Sequence, residues 1–202
     1  MLHWPKAALV GATLAVLTTA PSFAMDLFGR LPDMNVTTGN FFNAPAPRHG
    51  RTVHRDPQFM RQVVQYETRQ PVGTLVVNTH EHFLYLVLGG GKALRYGIGT
   101  AKTGFEWSGT HKVTNKREWP DWTPPPEMIA RRPDIPHHMA GGINNPLGAR
   151  ALYIGATLYR IHGTNEPWTI GGDVSSGCIR MVNDDVIDLY DRVKVGAKVI
   201  VL

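Results

Sequence analysis

The chain has 202 residues, a formal net charge of +5, 43% apolar residues and 18% charged ones, with 21 Gly and 15 Pro. That composition reads as a globular, mostly β protein. The basic balance suits an anionic polymer or a membrane surface. The absence of a Lys/Arg run, an RNA-type aromatic motif or zinc-finger spacing argues against nucleic acid as a partner.

Residues 1–24 read as a secretory signal peptide. Lys6 supplies the charged start and Ala7 to Ala20 an uncharged apolar run; Pro21 and Ser22-Phe23-Ala24 supply the break and a small-x-small cleavage site. The run is shorter than the roughly 20 residues that span a bilayer. No Cys follows it to carry a lipid, and no second apolar span appears. The expectation is an exported, periplasmic chain starting near Met25, with no integral membrane segment after cleavage. Residues 25–70 form an extended N-terminal arm, Pro-, Asn- and Gly-rich up to about residue 56. Phe41-Phe42 packs on the domain or belongs to plain linker. Gln58 to Tyr66 forms one helical turn or a strand.

Pro71 opens the main domain, 71–202. Strands are expected from Gly73 to Thr79, Phe83 to Leu88 and Ala93 to Gly99, with Gly89-Gly90-Gly91 as a turn. No helix or Lys-Ser/Thr follows the triple glycine, so it is not a phosphate loop. His80 and His82 sit in a turn and make a weak metal pair, lacking further convergent ligands. His137-His138 is a solvated loop, since adjacent side chains diverge in extended chain. Residues 101–150 read as irregular, carrying Trp107, Trp119 and Trp122 and the Pro124-Pro125-Pro126 run. A long excursion of this kind is usually functional. It is expected to form a lid or substrate wall, with Trp122 against substrate, or else its Trp residues plug one end of a barrel.

Strands return from Ala149 to Gly155 and from Leu158 to His162. A helix follows near Asn183, read as its N-cap, with Asp184 and Asp185 in the first turn and Val186, Leu189 and Val193 on one face. Lys198 to Leu202 closes the chain as a strand.

The chemistry concentrates between His162 and Met181, where the sequence is HGTNEPWTIGGDVSSGCIRM. Cys178 is the only cysteine. In an oxidising compartment a lone thiol has no partner within its own chain and needs a chemical reason. A thiol becomes a strong nucleophile when a base or cation helps it ionise. His162 supplies the base and Arg180 a fixed charge, and Gly177 permits close backbone approach. The amides of Gly177 and Cys178 are placed to bind an oxyanion. These parts fit acyl transfer. The bland alternative is a buried Cys acting as a small hydrophobe.

The set His162-Gly163 … Ser175-Ser176-Gly177-Cys178-Ile179-Arg180 resembles the L,D-transpeptidase (YkuD-like) family, over about residues 71–202. The Gly104 region, Asn145-Pro146-Leu147-Gly148 and the terminal Gly-x-x-Val resemble it too. The resemblance implies a mostly antiparallel β sandwich or barrel with one or two short helices. It implies Cys178 as acylated nucleophile, His162 as base, the Gly163 carbonyl orienting the imidazole, and Gly177 and Cys178 as oxyanion donors. Ser175, Ser176 and Arg180 would support substrate. Ser176 stands where many members have His, which bears on substrate positioning rather than on the base. The implied substrate is a peptidoglycan stem tetrapeptide. The acceptor would be a second stem peptide, an outer-membrane protein lysine, or water. No metal or organic cofactor is implied, and carbapenems would acylate the same thiol.

Overall fold

The computed structural model describes residues 56–202; the stretch expected to be a signal peptide and most of the expected N-terminal arm lie outside the described residues. A 3-10 turn at Pro57–Phe59 is capped by Asp56, whose carboxylate accepts from the Gln58 amide at 3.0 Å. Eleven strands follow: β1 Gln62–Gln65, β2 Leu75–Asn78, β3 Phe83–Gly89, β4 Lys92–Gly97, β5 Thr100–Ala101, β6 Gly109–Glu118, β7 Arg150–Ile154, β8 Arg160–His162, β9 Asp173–Ser175, β10 Ile179–Arg180 and β11 Lys198–Val201. Two short helices, α1 Pro126–Arg131 and α2 Asn183–Arg192, complete the described chain.

Nine strands form one sheet in the order β1-β4-β3-β2-β11-β6-β7-β8-β10, and β5 and β9 pair separately. Most pairings are antiparallel; β2–β11, β8–β10 and β5–β9 are parallel. The sheet ends at β1 and β10 without closing, so the architecture is sandwich-like rather than a closed barrel.

The closing strand β11 is not peripheral. It lies between β2 and β6 and ties the two halves of the sheet together. Its neighbour β2 reads Leu-Val-Val without alternation because both of its faces are covered. Leu75 and Val77 enter the main core, while Val76 joins a second cluster with Tyr85, Val87 and Ala93. Tyr66 closes that second face by stacking on Tyr85 at 4.5 Å. Residues 62–65, upstream of Pro71 and read as part of the arm, are therefore an edge strand of the sheet.

In the main core Ile161, Ile179 and Met181 pack with Val186 and Leu189 of α2. Each such side chain contributes roughly 1.5–3 kcal/mol on burial. The strands that carry the candidate site are thus anchored by the same residues that hold the helix.

Two expectations need correction. The 101–150 stretch is not irregular throughout, because β6 runs ten residues within it. Only Val113 of that strand is buried, and its remaining side chains are mostly polar, so no apolar alternation marks it. Its strand state comes from pairing with β11 on one side and β7 on the other. Asn183 is not an N-cap. Val182 occupies that position, and the Asn183 side chain accepts instead from the Ala149 amide at 2.9 Å and the Thr164 amide at 3.3 Å. At the other end of α2, Lys116 of β6 donates to the Tyr190 carbonyl and, at 2.7 Å, to that of Val193. A cation there suits the negative end of the helix dipole.

Candidate active site

Successive side chains of a strand point to opposite faces. In β8 this sends Ile161 into the core and leaves Arg160 and His162 together on the other face, where both line the same cavity. The β10 strand runs parallel to β8, with Ile179 opposite Ile161 and Arg180 opposite His162. One step back along that register places Cys178 across from Arg160. Residues eighteen apart in sequence thus become neighbours on adjoining strands.

His162 is 4% exposed. Its Nδ1–H donates to the Gly163 carbonyl at 2.6 Å, so the neutral ring carries Nε2 as its acceptor nitrogen. This bend is possible because Gly163 has no side chain: a Cβ there would sit 2.2 Å from the Asn183 Oδ1. Asn183 therefore braces the backbone behind the imidazole.

Burial drives the His162 pKa down to about 3. The carbonyl of Gly163 opposes that drop, and the charges of Arg180 and Arg160 reinforce it. Burial likewise pushes the Cys178 thiol up; hydrogen bonds and charge from Arg160, then the charge of Arg180, pull the other way without cancelling the rise. The resting pair at neutral pH is a neutral imidazole and a neutral thiol.

The loop before the cysteine is tightly tied. Ser175 Oγ donates to the Cys178 carbonyl at 2.6 Å and accepts from the Gly177 amide at 3.1 Å. That second bond commits the Gly177 amide, which was expected to serve an oxyanion. Gly177 has φ +112, and a Cβ on it would meet the Tyr159 ring at 2.2 Å. Tyr159 stacks on Trp107 at 4.4 Å, and Trp107 Nε1–H donates to the Gly177 carbonyl at 2.6 Å. Trp107 is thus a brace for the cysteine loop.

The cavity has a volume of about 330 Å³ and is lined by Cys178, His162, Ser175, Ser176, Arg160 and Arg180 on its polar side. Trp122 joins Phe105 and Met128 on an apolar wall, where α1 lies. Trp122 is held there by paired backbone hydrogen bonds with Met139, each 2.8 Å. Trp119, by contrast, is 46% exposed. Arg180 is fixed by Glu166 at 2.9 Å.

Sequence reasoning missed Arg160, Tyr159 and the bracing role of Asn183. Arg160 had a usable signal, since it lies two residues before His162 on a strand. His82 donates to the Asp173 carboxylate at 3.0 Å, and His138 lies 3.8 Å from that of Asp121 at the surface. Among the described residues, no three His, Cys, Asp or Glu side chains form a group able to hold a metal ion.

The L,D-transpeptidase catalytic-domain model, YkuD, matches residues 73–201. The Escherichia coli K12 protein named probable L,D-transpeptidase ErfK/SrfK is 41% identical over 134 residues, which are 62% of this chain and 42% of that protein. The chain therefore matches less than half the length of that relative. A Brucella melitensis crystal structure described as a probable carnitine operon oxidoreductase is 46% identical, with TM-score 0.50, covering 75% of this chain and 99% of that one. L,D-transpeptidase 3 of Mycobacterium tuberculosis shares the fold at 16% identity and TM-score 0.51, over 64% of this chain and 60% of its own. The family model spans well over half of the residues, including every strand from β2 to β11 and the whole Cys178 cavity, so the chain belongs to the L,D-transpeptidase (YkuD) catalytic-domain family.

Proposed function

We propose that this protein is a cysteine acyltransferase that acts on peptidoglycan stem tetrapeptides. The observation that carries the reading is that Cys178 and His162, delivered by adjoining strands, line one cavity with the imidazole fixed through Nδ1–H to the Gly163 carbonyl. A neutral thiol and a neutral imidazole favour general-base catalysis, with the proton moving as the sulfur attacks rather than before. His162 Nε2 takes the Sγ proton while Sγ bonds to the carbonyl carbon of the third stem residue. The C–N bond to the terminal D-alanine then breaks, and His162 returns the proton to the departing amine. An acceptor amine attacks the thioester, gives up a proton through His162, and the thiol is restored.

The Cys178 amide is the oxyanion donor in this scheme, since the Gly177 amide is engaged by Ser175. Arg180, Ser175, Ser176 and Trp122 shape the donor cavity. With a second stem peptide as acceptor the product is a 3→3 cross-link; with a protein lysine it is a tethered outer-membrane protein; with water the enzyme is a carboxypeptidase or endopeptidase. The reading places the reaction in the periplasm and makes Cys178 the residue that carbapenems acylate. Among the described residues, no helix is long and apolar enough to cross a membrane.

The test is intact mass spectrometry of the full chain mixed with a disaccharide-tetrapeptide, beside Cys178→Ala. A Cys178-dependent adduct with release of D-alanine is expected. Cross-linked dimer in the products means transpeptidase, and tripeptide alone means hydrolase. Equal product from Cys178→Ala would overturn the proposal.

A further inference from the structure

Three guanidinium groups line the Cys178 cavity, those of Arg131, Arg160 and Arg180, against one lining acid, Glu127. One of the cations is already neutralised: Arg180 pairs with Glu166 at 2.9 Å. Arg131 lies over the Phe105 ring at 5.0 Å, on the apolar wall. Arg160 is the one that the strand register sets across from Cys178. Like Arg131, it has no carboxylate within ion-pair distance among the described residues. Its Nε is buried without an acceptor, and its flank rests on the Tyr153 ring at 5.1 Å. It lines the same cavity as Cys178, from the facing position on the adjoining strand. A partly desolvated charge with no counter-ion is costly unless a ligand supplies one.

The position of Arg160 specifies where that ligand's charge must lie. When the last peptide bond of a chain is attacked, the terminal carboxylate carbon is three covalent bonds from the attacked carbonyl carbon. Standard bond lengths put the two roughly 3–4 Å apart. A guanidinium that shares the cavity with the attacking sulfur, from the facing position on the next strand, is within reach of that carboxylate. A planar fork also matches a carboxylate in bidentate fashion.

We propose that Arg160 binds the free C-terminal carboxylate of the acyl donor, and that this contact restricts cleavage to the last peptide bond. The inference rests on the acyl-donor reading above. Arg160 is then a specificity-determining residue, distinct from the nucleophile and the base.

The test compares two donors on the full-length protein: the tetrapeptide with a free C-terminal carboxylate and the same peptide as its C-terminal carboxamide. Wild type is expected to prefer the acid by about 10- to 100-fold in kcat/KM, the worth of one charge-assisted contact. In Arg160→Gln the acid-to-amide ratio should fall to within about threefold of one, chiefly through loss of rate on the acid. Arg160→Lys should keep part of the preference, because it retains charge without the fork. Equal wild-type rates on both donors overturn the inference. So does an Arg160→Gln variant that slows both donors equally, which would confine Arg160 to the thiol. If the Gln variant does not fold, an unchanged ratio in folded Arg160→Lys also counts against it. No Cys178 adduct from either donor in wild type overturns the acyl-donor reading itself, and the inference with it.

Discussion

Gly177→Ala tests whether the cysteine loop is held by the Trp107–Tyr159 brace. The new Cβ would stand 2.2 Å from Tyr159 Cε1 and 2.7 Å from Cδ1, so the ring must move. Moving it loosens the 4.4 Å stack on Trp107, worth about 1 kcal/mol. The Trp107 Nε1–H bond to the Gly177 carbonyl goes with it, at about another 1 kcal/mol. The backbone at φ +112 adds strain of roughly 1–3 kcal/mol for a residue with a side chain. Together these predict a loss of about 3–5 kcal/mol in chemical denaturation and, at about 2–4 °C per kcal/mol, a fall in Tm of roughly 6–20 °C. Displacing the neighbouring Cys178 by even about 1 Å should cut turnover on the order of 100-fold. A double-mutant cycle with Tyr159→Ala isolates the steric part, because the ring that clashes is then absent. The combined variant should lose clearly less stability than the two single losses added. An unchanged unfolding midpoint for Gly177→Ala, or simple additivity in the cycle, would refute the bracing argument.

Two further perturbations test the support of the imidazole. With a folded pKa of about 3 against about 6.5 unfolded, His162 leaves the unfolded chain binding more protons between those values, so its contribution to stability is complete above about pH 6.5 and is lost as pH falls toward 3. The linked loss is bounded at about 4–5 kcal/mol. His162→Gln should flatten the stability-versus-pH slope in that window relative to wild type, as followed by denaturant titration; parallel slopes would show that His162 titrates normally. Asn183→Ala should leave the Ala149 and Thr164 amides without their acceptor, lowering stability by about 2 kcal/mol and slowing acyl transfer at least tenfold. A variant of full activity would place Asn183 in the helix alone.

The legibility of the site follows from which residues have roles that chemistry alone dictates. Cys178 and His162 could be singled out because a lone thiol and a basic partner upstream of it have few uses. Their meeting in one cavity depends on the β8–β10 register, which no local pattern states. The apolar strands β2, β3 and β4 were readable for the opposite reason: they bury most of their side chains, so composition alone marks them. In β6 the sheet partners supply the order and the side chains stay wet, so its ten residues look like loop. Asn183 misled because a helix-starting Asn usually caps its own helix. Here the backbone turn at Gly148 and Gly163 comes close enough to take that oxygen instead. Arg160 was hidden by its neighbours, since Tyr159, Ile161 and His162 already read as a strand end and a base. Only the two-residue period of a strand distinguishes it: whatever face carries His162 must also carry Arg160. The same geometry that places the base therefore also places an unpaired cation next to the nucleophile, and the two cannot be separated without breaking β8.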